Sequence, residues 1–266
     1  MTGKIFKGKV FLLVTGASQG IGRKIAEVLG STLESGSLVL LLARNAENLK
    51  GTADNMPKTL AVEYRSVDLS KATAEELRSI IDGALVKDSG ADAASKFDEI
   101  VVVHNVGSIG DVTKFAVDMT DFDYWRQYYD LNVFSPAVLN GVFMNVFKGK
   151  NIKRHVINIT SACGIQPFNS MGYYCSGKAA REMYFKVFAK ENPDVNVLNY
   201  SPGPVDTEML DTVTDNIVDP TTKEIFKDLK ENERVLTTDQ TVKKFLDILS
   251  SKKYESGDHV DYYDEL

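Results

Sequence analysis

Cysteine, histidine and tryptophan are scarce in this 266-residue chain, at two, three and one. Two cysteines, Cys163 and Cys175, cannot build a disulfide framework. His104, His155 and His259 lie too far apart in sequence to form a cluster with metal-ligand spacing. Free thiols suit a reducing compartment, so the cytosol is the expected location. Positive charge is short as well: 31 Lys and Arg stand against 37 Asp and Glu, a formal net charge of −6. That balance disfavours nucleic acid or an anionic membrane as a partner. No run approaches the roughly 18 apolar residues of a membrane span. Val10–Val14, preceded by Lys4, Lys7 and Lys9, is too short for a signal-peptide core and runs straight into a glycine-rich turn. The end Tyr263-Asp264-Glu265-Leu266 is similar to an ER-retention signal with its first residue changed, which would meet no receptor without a signal peptide.

What is present is an ordinary globular composition, 43% hydrophobic and 26% charged. The length allows a well-buried core without a metal or disulfide staple. Short apolar runs alternate with helical patterns from end to end, with no internal repeat. Strands are expected at Val10–Val14, Leu38–Ala43, Leu60–Val67, Ile100–Val103, Val156–Ile159, Val195–Tyr200 and His259–Tyr263. Helices are expected at Gly20–Leu33, Asn45–Asn55, Thr73–Val86, Asp121–Phe147 with a break near Ser135-Pro136, Ser176–Lys190 and Gln240–Leu249. This alternation predicts one α/β domain over residues 1–266, a doubly wound parallel sheet with helices on both faces. Lys87–Lys96 reads as a surface loop. Residues 206–234 are polar and weakly periodic, as a mobile flap over a pocket would be.

Thr15-Gly16-Ala17-Ser18-Gln19-Gly20-Ile21-Gly22 leaves the first strand and opens the first helix. Its glycines let the backbone turn and approach a pyrophosphate, whose charge the helix N-terminus favours. The spacing G-x-x-x-G-x-G after a threonine resembles that of the short-chain dehydrogenase/reductase family. Further matches follow in family order: Asp68-Leu69, His104-Asn105-Val106-Gly107 for an N-N-A-G turn, Asn132, Ser161, and Tyr174-x-x-x-Lys178. The resemblance implies a Rossmann-type fold and a catalytic group of Asn132, Ser161, Tyr174 and Lys178. It also implies a cofactor site at Gly16, Ala17, Ser18, Gln19, Gly20, Ile21, Gly22, Asp68, Leu69, Asn105 and Gly107, with Tyr174 and Lys178 at its inner end.

The side chains suit that chemistry. A tyrosine hydroxyl, with a pKa of about 10, is a weak acid–base group at neutral pH. The Lys178 ammonium, on the same helical face at i+4, is expected to bring Tyr174 down toward the working range. Ser161 would hydrogen-bond a carbonyl oxygen as charge develops on it. A tyrosine–lysine pair at an ordinary helix start is common; Ser161 and the phosphate loop turn the reading to catalysis. By resemblance, Asn132 positions a water in a proton relay, Lys178 holds the nicotinamide ribose, and the hydride comes from the cofactor. After the second strand, Arg44-Asn45 comes with no acid before Glu47. A guanidinium suits a 2′-phosphate, so NADPH/NADP+ is the expected cofactor. Gln19 stands where NADPH-dependent relatives often carry a second basic residue.

Within the family, Asn158–Phe168, Tyr174–Arg181, Val197–Thr207 and Ser256–Asp264 resemble the members that reduce side-chain ketones of 6-substituted pterins toward tetrahydrobiopterin. The resemblance implies a pterin as small-molecule substrate, with Thr160, Ser161, Tyr174 and Gly203 lining its site. It implies that Val205, Asp206, Thr207 and Met209 close over the nicotinamide end. Asp261 in the tail would accept both hydrogen bonds of the pterin's 2-amino and ring N–H groups. Met171 replaces a tryptophan common in these members, and His104 replaces an asparagine and reads as structural. A homodimer through the two long helices is implied. The alternatives are a broad carbonyl or 3-oxoacyl reductase and a catalytically silent NADPH-binding sensor or scaffold.

Overall fold

Runs of Val, Leu and Ile that alternate with amphipathic segments dictate the layering, because strands covered on both faces must be apolar throughout. The computed structural model describes residues 5–89 and 93–265. Lys4, residues 90–92 of the expected 87–96 loop and Leu266 fall outside that range. Within it the strands are β1 (Val10–Thr15), β2 (Leu38–Ala43), β3 (Ala61–Ser66), β4 (Glu99–His104), β5 (Lys153–Ile159), β6 (Val195–Ser201) and β7 (His259–Asp261). The helices are α1 (Gly20–Thr32), α2 (Ala46–Asp54), α3 (Ala74–Ser89), α4 (Phe122–Tyr129), α5 (Ser135–Val146), α6 (Gly172–Glu191), α7 (Glu208–Asn216), α8 (Pro220–Glu231) and α9 (Thr238–Ser251).

The strands form one parallel sheet in the order β3-β2-β1-β4-β5-β6-β7. Alternate side chains of β1 feed two cores. Val10, Leu12 and Val14 pack with Ile25 and Leu29 of α1 and Phe245 of α9, whereas Phe11 and Leu13 pack with Leu77 of α3, Leu139 of α5 and Phe185 of α6. The order reverses between β1 and β4, and the crevice at that reversal is where such sheets bind ligands.

Three expectations need correction. The break in the 121–147 helix lies before Ser135-Pro136, in a π-helical turn over Asp130–Phe134. Pro136 sits in the first turn of α5, where its missing N–H costs no helical bond. Residues 206–234 hold α7 and α8 rather than irregular chain. Asp219 caps α8 by accepting from the Thr222 amide at 2.7 Å, and Pro220 opens it. The expected 87–96 loop carries regular structure at both ends, since α3 runs to Ser89 and a 3-10 turn spans Ala93–Lys96.

Candidate active site

The carboxyl ends of β1, β4, β5, β6 and β7 share one edge, and each passes into a loop that carries expected site residues. After β1, Gly16 adopts φ +65° and donates its amide to the Leu42 carbonyl at 2.8 Å. Gly22 is a close approach: a Cβ there would meet the Gly16 carbonyl oxygen at 2.3 Å. Thr15 Oγ1 donates to the Val103 carbonyl and accepts from the amides of Asn105 and Val106 at 3.0 and 3.1 Å. Asn105 Nδ2 donates to the carbonyls of Thr15 and Gly16, so the turn after β4 clasps the glycine loop. Gln19 gives α1 no side-chain cap, and no acid occupies its first turn. Its leading amides therefore suit an anion.

Ala17 and Ser18 are buried in this loop, and Ile21 is half-buried. Arg44 is exposed at the end of β2, and Asn45 caps α2 by accepting from the Asn48 amide at 2.9 Å. Asp68 accepts from the Ser70 hydroxyl at 2.7 Å, which with the Ser70 amide and the Lys71 and Arg44 charges holds its carboxyl below the usual range. Leu69 is buried in the core with Leu77 and Ile81.

Ser161 follows β5 and opens a 3-10 turn over Ala162–Gly164, its hydroxyl accepting from the Cys163 amide at 3.2 Å. The α6 helix begins four residues earlier than expected, which sets Tyr174 in its first turn. Lys178, one turn on, donates to the Ile159 carbonyl at 2.7 Å and lies 5.5 Å from the centre of the Tyr174 ring. The electrostatics run against the expectation for this pair. Burial pushes the Tyr174 hydroxyl up, against the lowering pull of Ser161 and Arg181, and burial pushes Lys178 well down. Both groups are buried, and desolvation is the largest cause of the shift of each. Tyr174 therefore keeps its proton at neutral pH.

Asn132 lies in the π-helical turn, a distortion frequent at functional sites. Its Nδ2 donates to the Tyr128 carbonyl and its Oδ1 accepts from the Ser108 amide, both at 2.8 Å. That fixes Asn132 against the loop after β4, beside Gly107, whose Cβ position lies 3.2 Å from Asn132 Oδ1.

Around Tyr174 an apolar cluster gathers Ile109, Val112, Cys163, Met171 and Met209, with Val213 of α7 and Phe226 of α8. The 205–209 segment also reaches the glycine loop. A Cβ at Gly20 would stand 3.6 Å from Thr207, and Gln19 Nε2 donates to Glu208 Oε2 at 2.8 Å. Val205 pairs with Leu236, and the exposed Asp206 donates its amide to the Leu236 carbonyl. Strand register aligns the substrate-side residues: Ile159 lies beside Tyr200 and Ser201 beside Asp261. Gly203 packs against Leu236 and Tyr262. Asp261 is half-buried; its Oδ2 accepts from Ser201 Oγ at 2.5 Å and its Oδ1 from the Tyr263 amide at 3.0 Å. Thr160 is buried and donates to Glu182 Oε2 at 2.8 Å.

Sequence reasoning passed over Arg181, Glu182 and Glu208. The buried Arg181 donates to Asn158 Oδ1 and to the carbonyls of Val106 and His104, tying α6 to the ends of β4 and β5. Glu182 joins Thr160 to His259 at the start of β7. Tyr174, Lys178 and Glu182 recur at four-residue spacing on α6, a signal that could have marked Glu182.

The sequence profile of the short chain dehydrogenase family matches residues 10–217. Sepiapterin reductase of Xenopus tropicalis is 38% identical over 97% of both chains, and that of Bos taurus 34% identical over 97% of this chain and 96% of its own. Benzil reductase ((S)-benzoin forming) of Bacillus subtilis (strain 168) is 27% identical over 74% of this chain and 75% of its own. Among solved structures, a short chain dehydrogenase/reductase from Saccharomyces cerevisiae superposes with a TM-score of 0.79 at 28% identity, over 97% of both chains. The loop after β1, the ordered sheet and these full-length likenesses agree: the chain belongs to the short chain dehydrogenase family and is an oxidoreductase that acts on a carbonyl group, with a nicotinamide dinucleotide as its cofactor.

Proposed function

We propose that this chain is a cytosolic reductase of the side-chain ketones of 6-substituted pterins, using NADPH in the last step toward tetrahydrobiopterin. The observation that carries the reading is Asp261, a half-buried carboxylate held in register beside Ser201. Each of its oxygens accepts one bond within the protein and keeps a lone pair for the pterin's paired donors. It stands two strands from Thr160 and Ser161, about 10 Å at ordinary strand spacing. The sepiapterin reductases, 31–38% identical over 97% of this chain, support the same substrate.

The glycine loop and the uncapped start of α1 would hold the pyrophosphate, Arg44 and Asn45 the adenosine 2′-phosphate, and Asp68 and Leu69 the adenine. NADPH, when bound, supplies the pro-S hydride. Ser161 steadies the carbonyl oxygen, and Tyr174, which keeps its proton in this pocket, donates it to that oxygen. Lys178 holds the ribose, and Asn132 places a water for reprotonation. The apolar cluster with Met171 and Met209 keeps bulk water from Tyr174. A homodimer through α5 and α6 accords with the exposed Phe134, Val138, Met183 and Val187.

A second reading, a broad carbonyl reductase, has the benzil reductase likeness in its favour. One experiment separates the two. NADPH consumption is followed with sepiapterin and with a small diketone, for wild type and Asp261→Asn. The expected loss in kcat/KM is roughly tenfold to a hundredfold for sepiapterin, with the diketone rate little changed. A wild type that reduces only the diketone removes the pterin assignment. NADPH binding with no turnover of either points to a silent sensor.

A further inference from the structure

Tyr128 lies in the last turn of α4 and is buried, although it carries a hydroxyl. That hydroxyl donates to the Ser108 carbonyl at 3.2 Å, and the Tyr128 carbonyl accepts from Asn132 Nδ2 at 2.8 Å. The Ser108 amide donates to Asn132 Oδ1 at 2.8 Å, so three hydrogen bonds close a ring through Tyr128, Ser108 and Asn132. Two glycines admit the aromatic ring. A Cβ at Gly110 would stand 2.9 Å from Tyr128 Cε2, and one at Gly177 would stand 2.7 Å from Tyr128 Cε1. Gly110 belongs to the loop after β4, whereas Gly177 lies on α6 between Tyr174 and Lys178. The ring of Tyr128 is thus wedged between the loop that holds Asn132 and the helix that carries Tyr174 and Lys178.

We propose that Tyr128 is a positioning residue for carbonyl reduction: its ring spaces Asn132 from α6, and its hydroxyl fixes the Ser108 loop that orients the Asn132 side chain. The proposal rests on the reading that Asn132 places a water for the reprotonation of Tyr174. Tyr128 acts through Asn132 and contributes no atom to the reaction.

Asn132 needs such support because it sits in the π-helical turn, where the regular helical ladder is interrupted. Its amide is instead oriented from outside, one side-chain atom donating to Tyr128 and the other accepting from Ser108. Ser108 is only half-buried and lies in a loop that includes Gly107 and Gly110, so its own place has to be secured. The Tyr128 hydroxyl does this from a buried ring that Gly110, Gly177 and the neighbouring Tyr173 ring, 5.7 Å away between centres, keep from turning. Burial pushes the Tyr128 hydroxyl up, so it remains a donor at neutral pH. Without that hydroxyl the Ser108 carbonyl loses its donor, the loop is free to shift, and the Asn132 amide shifts with it. Proton delivery depends on small displacements of this kind.

The test is Tyr128→Phe, which keeps the ring and removes only the hydroxyl, read beside Asn132→Ala and the double variant. Each is assayed with NADPH and whichever of sepiapterin and a small diketone the wild type reduces, and urea midpoints confirm that each is folded. In Tyr128→Phe, kcat should fall roughly fivefold to tenfold, the scale of one neutral hydrogen bond, while KM and the Kd for NADPH hold. The solvent deuterium isotope effect on kcat should rise as proton delivery becomes the slower step. Asn132→Ala should cost more, and adding Tyr128→Phe to it should cost nothing further, as expected of two residues with one shared role. An unchanged kcat in Tyr128→Phe beside a loss in Asn132→Ala overturns the proposal and leaves the relay standing. An unchanged kcat in Asn132→Ala overturns the relay and the proposal with it. Losses that multiply in the double variant, or a fall in kcat with weakened NADPH binding and an unmoved isotope effect, give Tyr128 a merely structural part and overturn the positioning.

Discussion

At the scale of single residues, the buried His104 shows how one substitution sets a pH response. It ends β4, fully buried, with its Nε2 3.4 Å from Asn140 Oδ1 and its ring 5.0 Å from that of Phe185. Burial, reinforced by the Arg181 charge and opposed by Asn140, brings its pKa down from 6.5 to about 3. It is neutral at physiological pH, which suits a structural role and no part as a base. The unfolded chain takes up this proton near pH 6.5 and the folded protein only near 3. Stability is therefore full above 6.5 and drains as pH falls toward 3, by up to about 5 kcal/mol. In His104→Asn, the residue found in the family's turn, that loss should be absent. Urea midpoints measured from pH 7 to 4 should fall less steeply for the variant than for wild type. Parallel curves would show that His104 is not the titrating group.

Among the elements, the contact between the glycine loop and α7 has a consequence for cofactor affinity. Glu208 is exposed in the first turn of α7, and its carboxylate accepts from Gln19, the residue that leads into α1. An anionic cofactor at the α1 N-terminus would meet this negative charge. Glu208→Gln keeps an acceptor for Gln19 and removes the repulsion. NADPH should bind roughly three- to fivefold more tightly, the scale of an exposed charge pair, and salt should erase the gain. Fluorescence titration at low and high salt checks both; an unchanged Kd would place the charge too far away to matter. The elements themselves differ in how they show in sequence. Buried strands such as Val10–Thr15 are continuous apolar runs, and α1 repeats its apolar residues at helical spacing, so both are legible locally. The π-helical turn around Asn132 leaves no local mark, because its residues pass for ordinary helix. The α8 helix is polar, and its signals are the capping pair Asp219-Pro220 and the helical spacing of Ile225, Phe226 and Leu229. Ser161, Tyr174 and Lys178 could be picked out because their spacing is short and characteristic. The Gln19–Glu208 and Glu182–His259 contacts span 189 and 77 residues, and no local pattern announces them.

Across the whole molecule, the proposed role of Asp261 requires the end of the chain to be held against α6. Three residues of β7 paired to β6 give little purchase for this. Side chains supply the remainder. Asn199 Nδ2 donates to the Gly257 carbonyl at 2.9 Å, Ser256 Oγ to the Val195 carbonyl at 2.8 Å, and Lys244 to the Asp264 carbonyl. The centre of this hold is Glu182, buried on α6 with His259 Nδ1 at 2.9 Å, Thr160 Oγ1 at 2.8 Å and Lys186 Nζ at 2.7 Å. Burial alone would raise this carboxyl, but the bonds from His259, Lys186 and Thr160 prevail and bring it from 4.5 to about 2. A carboxyl depressed by folding stabilises the protein above its unfolded pKa and loses that contribution as pH falls through the folded one. The window is therefore pH 4.5 down to about 2, and the sum at stake is on the order of 3 kcal/mol. Glu182→Gln removes the charge and should flatten the acid-unfolding profile across that window while lowering stability at pH 7. It should also loosen the tail before the core, so that amides of residues 256–261 exchange with deuterium many-fold faster while those of β1 and β4 keep their protection. If tail and core lose protection equally, Glu182 supports the fold as a whole. If only the tail does, this buried carboxylate is what holds Asp261 in line with Tyr174.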